Sequence, residues 1–454
     1  MRVAVDKFKG IWDTELLFQQ ITAGCSERWL LDSCGKGRYT VMAWEPWKQI
    51  PLWDVGGDDP MEALEEVLAH LPCVNAPKEA PPFLMGVLGW LGYELAWRWH
   101  RIGQPKPRHL PLPDGMWMVP RKVIVLDARL DEAWICVLDE TDPETKLAHL
   151  SKQLLQLQGE TEACQQTGEI LTPVTPVITR QHYRHQIGHI KDAIARGDIY
   201  QANFTYRVQG QVMGTPWELF QVLRRTNPGA YAAYIEGEGY AILSSSPEQF
   251  VRWSGDHIET KPIKGTRPRG ATPVADAKEK ARLAASEKDQ AELVMIVDLE
   301  RNDLGQVCEI GSIRVPRLFE LEPHPTVWHQ VAAVEGRLKS GVKPRDIFGA
   351  IFPGGSITGA PKLRSMQVIH DMETGRRGIY TGSIGYIDPR GSAEWNIAIR
   401  TMIWAGGREA NLSYHVGGGI VWDSDPDAEY EETLAKGRGM LEAIQQWSAK
   451  KVKQ

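Results

Sequence analysis

The stretch His415–Trp447, HVGGGIVWDSDPDAEYEETLAKGRGMLEAIQQW, runs a glycine-rich segment into a long helical one. Within the predicted helix, Glu429, Glu432 and Lys436 stand at i, i+3 and i+7 and share one face. Tyr430, Leu434, Leu441 and Ile444 form a separate apolar stripe, the expected packing face. A solvated face is one reading of the charged residues. The other is a Mg²⁺ site beside an anionic substrate, since Mg²⁺ takes oxygen ligands and borrows some from substrate and water.

Upstream, other glycine-rich segments (FPGGSITGAPK, Phe352–Lys362; YTGSIGYI, Tyr380–Ile387) alternate with helical stretches such as AELVMIVDLERND, Ala291–Asp303. YTVMAW and KVIVLDARL read as strands. The alternation has no strict βαβ rhythm and no fixed-period repeat; the expected class is α+β. A Thr/Pro-rich polar stretch places a boundary or long crossover at about 160–178. The expected portions are 1–165 and 176–454.

Composition narrows the class. The 454 residues carry 52 Lys and Arg against 58 Asp and Glu, a net charge of −6, which excludes a globally basic nucleic-acid binder. No apolar run approaches the roughly 20 residues of a membrane helix, and no signal peptide is read. Cys25, Cys34, Cys73, Cys136, Cys164 and Cys308 form no CxxC pair, and free thiols in a reducing cytoplasm are expected.

Four further features bear on chemistry. His182, His185 and His189 invite a metal reading, but Tyr183, Ile187, Ile190 and Ile194 form the core stripe of that helix and leave the imidazoles facing solvent. Gly354–Lys362 departs from a phosphate loop because Ala360 and Pro361 separate Lys362 from the last glycine. Such a loop can still hold a carboxylate through its N–H groups. Glu292 abuts the apolar run Leu293–Val297, where a lone charge needs a partner. A metal shared with Glu429 and Glu432 would supply one. Lys264, in TKPIKGT, is either a salt-bridged surface residue or a nucleophile. The second role requires burial or neighbouring cations, because an ordinary lysine at neutral pH lies about 4 kcal/mol from its neutral amine.

SSSPEQF (Ser244–Phe250), TKPIKGT (Thr260–Thr266), AELVMIVDLERND, FPGGSITGAPK, NIAIRT (Asn396–Thr401) and GGGIVWDSDPDAEYEE (Gly417–Glu432) occur in this order. Together they resemble the chorismate-utilising enzymes. LLDS (Leu30–Ser33), GWLGYEL (Gly89–Leu95) and GDIYQANF (Gly197–Phe204) resemble the large subunits of the anthranilate and aminodeoxychorismate synthases. The isochorismate and salicylate branch carries a water-activating lysine where this chain has Gln201. Anthranilate synthases usually read PIAGT where this chain reads Pro262-Ile263-Lys264-Gly265-Thr266. The lysine marks the aminodeoxychorismate synthase component I branch, with anthranilate synthase component I as the alternative.

The resemblance implies an anthranilate synthase component I-like fold, with two packed, antiparallel-rich β-sheets flanked by helices and an interwoven N-terminal portion. It implies a transferase of nitrogenous groups that converts chorismate and ammonia to 4-amino-4-deoxychorismate, on the route to p-aminobenzoate and folate. The ammonia is expected from glutamine through a separate glutamine amidotransferase subunit, component II. Lys264 would add at C2 of chorismate and Glu248 would protonate the departing 4-hydroxyl. Glu292, Glu429 and Glu432 would hold Mg²⁺. Arg400, Lys436, Tyr380, Ser356, Thr358, His329, Gln201 and the N–H groups of Gly417, Gly418 and Gly419 would bind substrate. Asp32, Ser33, Arg38 and Tyr231 correspond to the tryptophan pocket of the related subunits, here either holding tryptophan or vestigial.

Overall fold

Strand Tyr39–Leu52 puts Val41 and Ala43 on one face and Met42 and Trp44 on the other, and all four are buried. Strands Gly115–Asp127 and Tyr231–Gly237 do the same, so each separates two hydrophobic cores. A strand buried on both faces reads as a continuous apolar run rather than a clean alternation. The computed structural model describes residues 1–53, 59–161, 168–324 and 327–449.

The class is α+β. Hydrogen bonds join twenty strands among the described residues into one network, and the named pairings are antiparallel. The sheets are thus continuous with one another through shared strands. Strand Arg28–Asp32 pairs with Tyr231–Gly237, and Val87–Leu91 pairs with Ser383–Asp388. These ladders run between the N-terminal and C-terminal portions and interweave them. Residues 162–167, including Cys164, lie outside the described residues. The other five cysteines are free.

One core, containing Trp90, Trp117, Trp395, Phe250 and Phe348, lies between strands and the helices Glu287–Val307 and Pro344–Ile351. Many of the 17 tryptophans, against 9 phenylalanines, are buried here and in the second core, where Trp404 and Trp447 meet edge to face. The second core lies under helices Thr14–Ile21, Pro143–Gln156, Arg180–Ala195, Pro216–Thr226 and Pro426–Ser448. In helix Arg180–Ala195 the buried residues are Tyr183, Ile187, Ile190 and Ala193; Ile194 and His182 are half-buried rather than fully in the core and in solvent, and His185 and His189 are exposed. Among the described residues, no helix is long and apolar enough to cross a membrane.

The last helix corrects one expectation. Its packing face is Glu429, Thr433, Gly437, Met440, Ala443, Ile444 and Trp447, while Leu434 is 42% exposed. Small residues bring its first half close to the glycine-rich strand. A Cβ on Gly437 would stand 3.1 Å from Val416 Cγ1. Close approach, rather than apolar area, sets the orientation there and turns Glu429 inward.

Candidate active site

Strand Glu409–Ile420 pairs with Gln201–Met213 in a register that sets Gly417 opposite Thr205 and Gly419 opposite Asn203. A Cβ at Gly417 would meet Phe204 O at 2.3 Å, and one at Gly419 would meet Gln201 Nε2 at 2.1 Å. Gly418 opens instead onto functional groups. Its Cβ would stand 3.4 Å from Glu429 Oε2, 3.5 Å from Lys436 Nζ and 3.8 Å from Glu432 Oε1. The triple glycine therefore forms a side-chain-free floor beneath the charged face of the last helix.

Cations already balance the carboxylates around that floor. Lys436 Nζ lies 2.7 Å from Glu432 Oε1 and donates to Gly417 O at 3.1 Å. Lys288 Nζ stands 3.9 Å from both Glu292 Oε1 and Glu429 Oε1. Burial pushes Glu429 above the ordinary carboxylate range, helped by the charge of Glu432, although Ser424 donates to it at 2.7 Å. Burial also works against the Glu432 carboxylate, but Lys436 outweighs it and holds that group below the ordinary value.

Among the described residues, no three His, Cys, Asp or Glu side chains are gathered closely enough to hold a metal ion as they stand. The donor chemistry nevertheless fits Mg²⁺. All three expected ligands offer hard carboxylate oxygens, and the Lys288 ammonium stands as a cation between two of them. Lys288, four residues before Glu292, is a neighbour that helical spacing makes readable.

Lys264 sits on strand Ile263–Pro268, where the pairing with Val327–Arg337 slips between Ile263 and Thr266. Gly265 has φ +82°, and a bulge of this kind re-aims a side chain. Lys264 Nζ donates to Ser356 O at 3.2 Å. Burial lowers its pKa; Glu292 opposes that and Lys436 adds to it. Glu248 is only 4% exposed, and burial raises its pKa against the pull of Ser356, Lys264, the Ile263 N–H and Arg400. Both shifts favour neutral forms, an amine and a carboxylic acid, at adjacent positions.

Arg400 has φ +50° and is partly buried, and burial lowers its pKa. Its guanidinium forms no ion pair among the described residues, which leaves the fork available to a ligand carboxylate. His329 is buried and pushed down to about 2 by burial and by Arg400, so it is neutral, with Nδ1 2.8 Å from Thr266 Oγ1. Tyr380 stacks on His415 with centroids 5.1 Å apart. Among the described residues, Gln201 Oε1 is buried without a hydrogen-bond partner. The Thr358 hydroxyl is used locally, donating to Gly354 O at 3.0 Å.

The four residues of the expected tryptophan pocket line a cavity of about 880 Å³. Pro247 and Ile263, neighbours of Glu248 and Lys264, line it too. Two charges of the expected tryptophan pocket are paired with residues outside it. Asp32 accepts from Arg224 at 2.5 Å, and Arg38 donates to Asp127 at 2.7 Å. The Tyr231 hydroxyl donates to Gln249 Oε1 at 3.0 Å.

Sequence reasoning missed Glu300, eight residues after Glu292 on the same helix. It is buried, accepts from Thr260 Oγ1 at 2.6 Å, and is pushed up to about 8 by burial. Between the ordinary carboxylate pKa and that value, the native state holds a proton that the unfolded chain releases. The contribution of this group to stability therefore falls as pH rises through that window. Glu300→Gln is expected to stabilise the protein by about 1–3 kcal/mol at about pH 8 and by much less at about pH 5. Calorimetric unfolding at the two pH values checks this, and an equal effect at both would contradict it.

The chain that carries this glycine-floored junction of the Gln201–Met213 and Glu409–Ile420 strands falls in a known class. The chain matches the chorismate binding enzyme family over residues 26–442 and belongs to it. It is 38% identical over 388 residues to the aminodeoxychorismate synthase component 1 of Klebsiella aerogenes, covering 85% of this chain and 83% of that one. It is 45% identical over 276 residues to an anthranilate synthase component 1 of Haloarcula marismortui, covering 60% and 55%. The anthranilate synthase component I structure from Streptococcus pneumoniae superposes with a TM-score of 0.77 at 29% identity, covering 89% and 92%.

Proposed function

We propose that this chain is the synthase component of an aminodeoxychorismate synthase, transferring ammonia to C4 of chorismate. The observation that supports this reading is Lys264. Its side chain is partly buried, its pKa is lowered by burial, and its amine is held on Ser356 O beside the buried acid Glu248. Neutral Lys264 adds to C2 of chorismate, both ring double bonds shift by one position, and the C4–O bond breaks. Glu248 gives its proton to the departing hydroxyl, which leaves as water. Ammonia then forms the C4–N bond, both double bonds shift back, Lys264 is expelled from C2 as the neutral amine, and the new C4 ammonium returns a proton to Glu248. Net, chorismate and ammonia give 4-amino-4-deoxychorismate and water.

Arg400 and Lys436 bind substrate carboxylates, with the N–H groups of the glycine strand nearby. Glu292, Glu429 and Glu432 would hold Mg²⁺, which when bound supplies charge neutralisation for the carboxylates of the substrate. Ammonia is proposed to come from a separate glutaminase subunit. Tryptophan is proposed for the 880 Å³ cavity only as a bound ligand, since Asp32 and Arg38 already hold Arg224 and Asp127.

The test supplies the purified chain with chorismate, Mg²⁺ and an ammonium salt, and adds an aminodeoxychorismate lyase. Formation of p-aminobenzoate that stops when Mg²⁺ is chelated is the expected result. Fluorescent anthranilate instead would move the chain to the alternative branch.

A further inference from the structure

We infer that Arg377 is a positioning residue for the proposed amination, holding three walls of the active site in register from behind. It is 1% exposed and reaches no open space. Its Nη1 donates to Ile357 O at 3.0 Å and to Thr381 Oγ1 at 3.2 Å. Its Nη2 donates to Asn203 O at 2.6 Å and to Glu373 Oε1 at 2.7 Å. Its Nε donates to Glu373 Oε2 at 2.9 Å. The ring of Tyr93 lies 4.5 Å from the guanidinium carbon, and the Arg377 N–H donates to Glu94 Oε1 at 2.7 Å.

Three of these acceptors, Ile357, Asn203 and Thr381, belong to segments that bear site residues. Ile357 follows Ser356, whose carbonyl accepts from Lys264. Asn203 follows Gln201 by two residues, and its own N–H donates to Thr358 O at 2.7 Å. Thr381 follows Tyr380, and its N–H donates to Ala398 O, two residues before Arg400. Glu373 also accepts from Thr205 N at 2.9 Å and Thr205 Oγ1 at 2.8 Å, opposite Gly417. One planar fork thus fixes the Lys264 acceptor, the Gln201 strand and the Tyr380 segment relative to one another. A lysine ammonium keeps the charge opposite Glu373 but cannot span Ile357 O and Asn203 O with the same geometry.

The experiment compares the native chain, Arg377→Lys, and the charge-removed pair Glu373→Gln/Arg377→Met. Cooperative unfolding, kcat and Mg²⁺ activation are measured on each. The pH dependence of Lys264 labelling by an amine-reactive reagent is read by peptide mass. Arg377→Lys is expected to unfold cooperatively, to lose about tenfold or more in kcat, and to keep its half-saturating Mg²⁺ within about twofold. Its Lys264 labelling midpoint is expected to move to higher pH, towards that of an ordinary lysine. Native kcat and a native labelling profile in Arg377→Lys would overturn the inference. So would a loss of kcat matched by an equal rise in the Mg²⁺ requirement. The labelling shift requires no turnover, so it still decides the role of Arg377 if the native chain does not aminate chorismate.

Discussion

Lys264→Ala is expected to lower amination by about 10³-fold or more, a loss of about 4 kcal/mol of transition-state stabilisation. The lysine is proposed to make and break a covalent bond, and no neighbouring amine replaces it. Lys436 is held by Glu432 and by Gly417 O, and Lys288 stands between Glu292 and Glu429. The fold should survive the change, because among the described residues the Lys264 amine makes one hydrogen bond, to Ser356 O. Removing a desolvated amine whose pKa is already lowered relieves a burial cost. Steady-state rates with saturating ammonium, alongside thermal unfolding, check both halves of the expectation. A variant with a native rate would exclude covalent catalysis by this residue.

Glu248→Gln is expected to lower kcat by about 10²–10⁴-fold while leaving the KM for chorismate within a few fold. The amide keeps the shape and the burial but has no acidic proton for the departing hydroxyl. Glu248 is suited to that role because burial raises its pKa, so it retains a proton at higher pH than an exposed glutamate. Activity that depends on this protonated acid falls as pH rises through its folded-state pKa. That limb should disappear from the pH–rate profile of the glutamine variant. An unchanged limb would assign the acid role to another group.

Much of the arrangement of the candidate site was legible because its residues sit in short segments. Gly417, Gly418 and Gly419, Glu429, Glu432 and Lys436 occupy one continuous stretch, and strand pairing turns that stretch into a floor and a wall. Lys264 and Glu248 stand in separate motifs, yet both lie near Ser356. What escaped depends on long-range geometry. Arg377 joins Asn203, Ile357, Glu373 and Tyr93, and no local spacing predicts that meeting. The orientation of the last helix escaped for a related reason. An apolar stripe predicts burial where area decides packing, but here the small residues Thr433 and Gly437 face the strand and Leu434 faces outward. Glu300 escaped because its burial follows from the packing of helix Glu287–Val307 against Gly355, where a Cβ would lie 3.7 Å from Glu300 Cγ.

The most direct test of the covalent route is to mix the chain with chorismate and Mg²⁺ in the absence of ammonia, quench in acid, and weigh its peptides. The expected result is a substrate-derived mass on the peptide containing Lys264, absent from Lys264→Ala and removed by a chase of ammonium salt as 4-amino-4-deoxychorismate appears. An unmodified Lys264 peptide at every quench time, in a preparation that forms 4-amino-4-deoxychorismate at its full rate once ammonium is added, would contradict it.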